Sequence, residues 1–169
     1  MASLHTDHAI LEYPNPIDLA EEMAGVNEWD FNREQDELMV LISGDYCDMH
    51  LRLFWHRDQK TLQIMNFLDL KIPENRSEVI KQAVMKLNET LFLGHFEFWE
   101  KEGSVIFRHA SLANDPMASG VSEDHLATLI ETAVNEGNKV YPVFQFIMWG
   151  GLSADEAIEA SMLECAGSC

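Results

Sequence analysis

Residues 46–56 read Tyr46-Cys47-Asp48-Met49-His50-Leu51-Arg52-Leu53-Phe54-Trp55-His56. Odd positions Cys47, Met49, Leu51, Leu53 and Trp55 are apolar, while Asp48, His50, Arg52 and His56 make the even positions polar, with Phe54 as the exception. Strict two-residue alternation is the mark of a strand with one face on a core and the other turned away from it. The flanking runs, Glu37 to Ser43 ended by Gly44-Asp45 and Thr61 to Lys71 stopped by Pro73, are joined to it by short polar connectors. Consecutive strands with such short links form an antiparallel meander. Trp29 to Arg33 reads as a short lead-in. The second face of this sheet is not uniformly polar: Met39, Leu41, Phe54, Met65 and Phe67 all fall on it. Such a face needs a cover, either a helix of the same chain or a second copy of the sheet.

Helical signals surround the meander. Asn15-Pro16 supplies an N-cap and a first-turn proline for a helix whose apolar positions are Ile17, Leu19, Ala20, Met23 and Ala24, with Gly25 as its stop. A second helix is expected from about Glu74 to Leu93, with Gly94 ending it. A hairpin follows, His95 to Glu100 and Ser104 to Leu112, then an exposed loop over 113–121. Ser122 caps a third helix that contains Pro142 and ends at Gly150-Gly151, and Ser153 with Glu156 forms a capping box for a last one. The order α-β-β-β-α-β-β-α-α over residues 15–165 describes one α+β domain, with flexible ends at 1–14 and 166–169.

Of 169 residues, 29 are Asp or Glu and 11 Lys or Arg, for a net charge of −18. Residues 1–37 hold ten acids and one base, residues 113–169 nine and one, but residues 38–112 hold ten and nine. A near-neutral centre with acidic ends gives no basic footprint for nucleic acid. The longest apolar run, Val140 to Trp149, is interrupted by Pro142 and Gln145 and is too short to span a bilayer. The first residues carry neither a basic cluster nor the apolar stretch of an export signal, and the three cysteines Cys47, Cys165 and Cys169 suit a reducing compartment. A cytoplasmic protein is expected.

Short catalytic motifs are missing: no glycine-rich phosphate cradle, Cys-x-x-Cys, His-Glu-x-x-His or Gly-x-Ser-x-Gly occurs. Asp30-x-Asn32-x-Glu34-x-Asp36 mimics the start of a calcium loop but has Gln35 for the turning glycine and Leu41 for the bidentate Glu. His50 and His56 share a strand face yet lie about 20 Å apart at strand rise, too far to chelate one ion. Neither a metal nor a cofactor is expected. His95, Arg108 and His109 lie near opposite positions of the hairpin and could line a small-molecule pocket. The 141–149 segment is apolar on both faces, which adds Phe146 and Trp149 to the interface candidates.

Asn15-Pro16, Trp29, Leu93-Gly94-His95-Phe96, Phe107-Arg108-His109-Ala110, and above all the block from Tyr141-Pro142 to Gly150-Gly151, resemble the YbjN-domain family, as does Ala157-x-x-Ala160-x-Met162-Leu163-Glu164. The likeness runs from about residue 15 to 165. That family is described as bacterial sensory-transduction regulators, and its fold is similar to that of type III secretion chaperones, which dimerise and bind extended protein segments. The resemblance implies a homodimer with a protein partner and no established enzymatic activity, and it brings no catalytic residues. Two functions follow: a chaperone-like or regulatory adaptor using Met39, Leu41, Phe54, Met65, Phe67, Phe146 and Trp149, or a small-molecule sensor or enzyme using His95, Arg108 and His109.

Overall fold

The computed structural model describes residues 14–113 and 120–167. The N-terminal tail, residues 114–119 of the expected loop, and Cys169 lie outside the described residues. The elements are α1 (Pro16–Val26), β1 (Asp30–Glu34), β2 (Glu37–Ser43), β3 (Asp48–His56), β4 (Thr61–Phe67), a 3-10 turn (Glu74–Arg76), α2 (Ser77–Asn88), β5 (His95–Trp99), β6 (Ser104–Leu112), α3 (Glu123–Met148) and α4 (Ala154–Gly167). The six strands form one antiparallel sheet in the order β1-β2-β3-β4-β6-β5. The α+β architecture is the one the alternation of residues 47–55 implies.

One element exceeds the expectation. Trp29 to Arg33 is not a lead-in but most of a full strand: β1 pairs with β2 over five residues, from Asp30 opposite Leu41 to Glu34 opposite Glu37. Asp30, Asn32 and Glu34 are exposed, so no hydrophobic period betrays the strand. The two-residue turn Gln35-Asp36, with Gln35 at φ 43°, and the ladder to β2 hold it in place. The element order is therefore α-β-β-β-β-α-β-β-α-α.

Leu38, Val40, Met49, Leu51, Leu53, Leu62 and Ile64 project from one face into a core shared with Ile17 and Ala20 of α1 and with Leu126, Ile130, Ala133, Phe144 and Ile147 of α3. Asn15 caps α1 by accepting the Ile17 N–H at 3.0 Å, and Ser122 caps α3 by accepting from His125 at 3.2 Å. The Ser153–Glu156 box is closed in both directions, at 3.0 and 3.4 Å. Helix α4 packs on α3 and α2. Where α3 crosses β4, the buried Asn66 donates its Nδ2–H to the Ala133 carbonyl at 2.9 Å. A Cβ on Gly137 would stand 2.7 Å from that nitrogen, so the close approach requires glycine. Among the described residues no helix is long and apolar enough to cross a membrane.

Candidate functional site: the helix-free face of the sheet

Residues opposite each other on antiparallel neighbours share a face. One row therefore runs across all six strands as Asn32, Met39, Arg52, Met65, Arg108 and His95, and the next as Asp30, Leu41, His50, Phe67, Ile106 and Glu97. Phe54 lies in a third row, between Glu37 and Gln63. These residues point away from the helices. Met39 stays 41% exposed, Leu41, Phe54 and Phe67 are half-buried, and Arg52 and His50 are exposed. Met65 and Ile106 are buried, yet neither belongs to the helix-side core.

What covers Ile106 is a small cluster of side chains on the same face. Phe67 meets Trp99 edge to face, ring centres 5.9 Å apart, and the Arg108 guanidinium lies 5.7 Å from the Trp99 ring centre. Glu97 ties the cluster together by accepting the Trp99 Nε1–H at 2.7 Å, contacting His95 Nε2 at 2.9 Å and pairing with Arg108 at 3.1 Å. Burial alone would raise the Glu97 carboxyl, but the Trp99 and His95 hydrogen bonds and the Arg108 charge outweigh it and hold the group below the usual glutamate range. Beside this cluster, toward β1, a groove of about 390 Å³ opens between Asp30, Asn32, Met39, Leu41, His50 and Phe67. Arg52 at its border is paired with Glu37.

Five of the sequence-derived interface residues, Met39, Leu41, Phe54, Met65 and Phe67, thus meet on one face. The other two do not join them: Phe146 packs on the helix-side core, and Trp149, 70% exposed, stands at the C-terminal end of α3. The pocket expected from His95, Arg108 and His109 does not form. Arg108 and His109 are neighbours on one strand and point to opposite faces, Arg108 opposite Met65 and His109 opposite Ile64 on the helix side. His95 and Arg108 do share a face but both engage Glu97. His109 is half-buried, and burial, then the nearby His125 and His95, lower its pKa. Among the described residues no group of three His, Cys, Asp or Glu side chains could hold a metal ion. The aromatic stretch Leu91 to Trp99, which as a sequence could line a ligand pocket or peptide groove, contains Glu97 and Trp99; Ile106 was missed, and the period-two register of β5 with β6 was the available signal.

A family model named YbjN, described as "Putative bacterial sensory transduction regulator", matches residues 16–146. No curated protein matches the chain in sequence. The crystal structure of YbjN from E. coli, described as "a putative transcription regulator", superposes with a TM-score of 0.52 at 8% identity, covering 74% of this chain and 90% of that one. At that identity the likeness concerns the fold.

Proposed function

The chain belongs to the YbjN family, and from that premise we propose that it works as a non-enzymatic regulatory or chaperone-like adaptor, holding a protein partner on the helix-free face of its sheet. One observation carries this reading: Met39, Leu41 and Phe67 remain part-exposed around a groove, with Phe54 part-exposed in the next row, on a face that, among the described residues, no helix covers. Exposed apolar surface of this kind, here interrupted by His50 and Arg52 of β3, marks interaction sites in soluble proteins. Covering it is favourable at about 25 cal/mol per Å², and aromatic anchors such as Phe67 and Trp99 are the residue types on which interface energy concentrates. The charge distribution agrees, because the sheet is built largely from the near-neutral centre of the chain while the helices carry the acidic ends. A partner approaching the middle strands meets little net charge, while the β1 end of the face carries the exposed acids Asp30 and Glu34. A second copy of the chain is the competing occupant of the same face.

Substituting Met39→Asp and Phe67→Asp tests the reading. Both sites are part-exposed, so the fold is expected to persist while the partner is lost from purified complexes. Sedimentation of the unsubstituted protein decides between occupants: a dimer dissolved by the same substitutions assigns the face to self-association. Retention of the partner by both folded variants rules the face out.

A further inference from the structure

The two edges of the sheet are not equivalent, and the difference bears on how a partner would be held. The Trp55 N–H reaches the Asp36 carbonyl at 2.8 Å, and the Gly44 N–H reaches the Cys47 carbonyl at 3.0 Å. Even-numbered residues of β2 therefore bond to β3, leaving Glu37, Met39 and Leu41 to bond to their partners Glu34, Asn32 and Asp30 on β1. By the same alternation the N–H and C=O groups of Phe31 and Arg33 point outward, off the edge of the sheet. At the other edge, Leu68 and Ala113 donate to Val105 and Lys60, which turns the backbone groups of Phe96 and Phe98 outward on β5. There Asn88 closes the edge at Phe96, though not at Phe98: its Nδ2–H reaches the Phe96 carbonyl at 3.0 Å and its Oδ1 accepts the Phe96 N–H at 2.7 Å. Among the described residues nothing performs that service for β1. Only Trp29, just before it, has its N–H taken, by the Ala24 carbonyl at 3.0 Å.

The side chains around the open edge are acidic. Asp30 and Glu34 stand on the helix-free face, and Glu22 and Glu28 are close in sequence. The one base of the strand, Arg33, turns to the helix side and is held by Asp18 at 2.7 Å and Glu21 at 3.0 Å. Pairing of two copies through β1 is opposed by these charges. Antiparallel overlap of all five residues, centred on Asn32, sets Asp30 of each copy against Glu34 of the other, and like charges directly opposite are destabilising. A foreign strand with bases at alternate positions would instead meet Asp30 and Glu34, with its intervening residues beside Phe31, which is 42% exposed.

We propose that β1 is a docking edge for an extended segment of a partner protein with alternating basic and apolar residues, which adds as a seventh strand through the outward backbone groups of Phe31 and Arg33. This rests on the partner-binding reading above and supplies the partner's chemistry: the added strand would extend the sheet beside the groove of Met39 and Leu41.

The probe is the blocked heptapeptide Lys-Val-Lys-Val-Lys-Val-Lys, with Glu in place of Lys as its control, titrated into the ¹⁵N-labelled full chain. Amide exchange at Phe31 and Arg33 is expected to slow with the lysine peptide and to stay unchanged with the control. Asp30→Lys with Glu34→Lys should weaken the lysine peptide about tenfold, and added salt should weaken it too. Phe31→Pro removes an outward donor without touching the ladder to β2 and should also abolish binding. Equal protection by the glutamate peptide, protection at Phe98 instead, or no protection by either peptide overturns the proposal. A lysine peptide that perturbs Met39, Leu41 and Phe67 while Phe31 and Arg33 exchange as before overturns the edge and leaves the face standing. Loss of the partner from Met39→Asp and Phe67→Asp, read separately, reports on the face alone.

Discussion

Asn88 and Phe96 are bound to each other twice: the side-chain amide of Asn88, the last residue of α2, satisfies both the N–H and the C=O of Phe96 on β5, at 2.7 and 3.0 Å. A side chain here does what a neighbouring strand would do. Asn88→Ala leaves two backbone groups at a part-buried edge without partners, each costing about 1–3 kcal/mol when buried. Part-exposure lowers the sum, and an overall loss of about 2 kcal/mol is expected in chemical denaturation, with faster amide exchange at Phe96 and no change at β1.

Two helical glycines should respond in opposite directions. Gly25 lies within α1, has nothing within 4 Å of a Cβ, and does not adopt positive φ. Gly25→Ala should therefore stabilise the protein by about 0.5–1 kcal/mol, because glycine in a helix forfeits that much relative to alanine. Gly137→Ala places its methyl 2.7 Å from Asn66 Nδ2 and 3.1 Å from Met49 Sδ, both inside the core. Overpacking of this kind costs about 1–3 kcal/mol. Thermal melts of the two variants check the contrast.

The two faces of the sheet should differ as sharply. Leu51, 1% exposed on the helix side, should cost about 2–5 kcal/mol on truncation to alanine. Met39, on the adjoining strand but the other face, is 41% exposed and should lose about 1 kcal/mol or less as Met39→Ser. Equal losses at the two positions would mean that Met39 is covered in solution by the protein itself.

His109 gives the fold a pH dependence whose sign follows from its surroundings. Burial, with the neighbouring His125 and His95, lowers its pKa below the ordinary 6.5. The unfolded chain then binds the proton more readily than the folded one, so stability is complete above about pH 6.5 and falls as the pH drops through that value, levelling off once the folded imidazole also titrates. His109→Gln should remove this part of the decline. Denaturation midpoints of the two proteins at about pH 7.5 and about pH 5.5 should converge toward the acid side.

Where the sequence carried a period, the fold was legible in it. The alternation from Cys47 to Trp55 gave β3 and its faces, and Asn15, Ser122 and the Ser153–Glu156 box marked three helix starts by the side-chain chemistry of capping. Helix α2 stops at Asn88, five residues short of the expected end at Leu93: the Glu89 and Thr90 N–H groups turn to the carbonyls of Lys86 and Leu87, and the Asn88 side chain holds Phe96. The run from Thr61, expected to reach Lys71, makes its last ladder bond from the Leu68 N–H to the Val105 carbonyl, although Leu70 and Ile72 remain buried. Strand β1 was illegible because its stability comes from the ladder to β2 and the Arg33 ion pairs, none of which leaves a hydrophobic pattern. Of the site, the apolar outer positions Met39, Leu41, Phe54, Met65 and Phe67 could be read directly. The Glu97–Trp99–Arg108 cluster could not, since it depends on the pairing of β5 with β6 and of β6 with β4 across more than thirty intervening residues.

Photo-crosslinking in living cells, with the reactive residue placed in turn at Met39, Leu41 and, as a helix-side control, Glu131, asks whether the uncovered sheet face holds a protein. The same discrete crosslinked product from Met39 and Leu41, absent from Glu131, is the outcome expected here. Crosslinks from Glu131 alone, or none from either sheet position, would show that the partner, if it binds, does so elsewhere on the molecule.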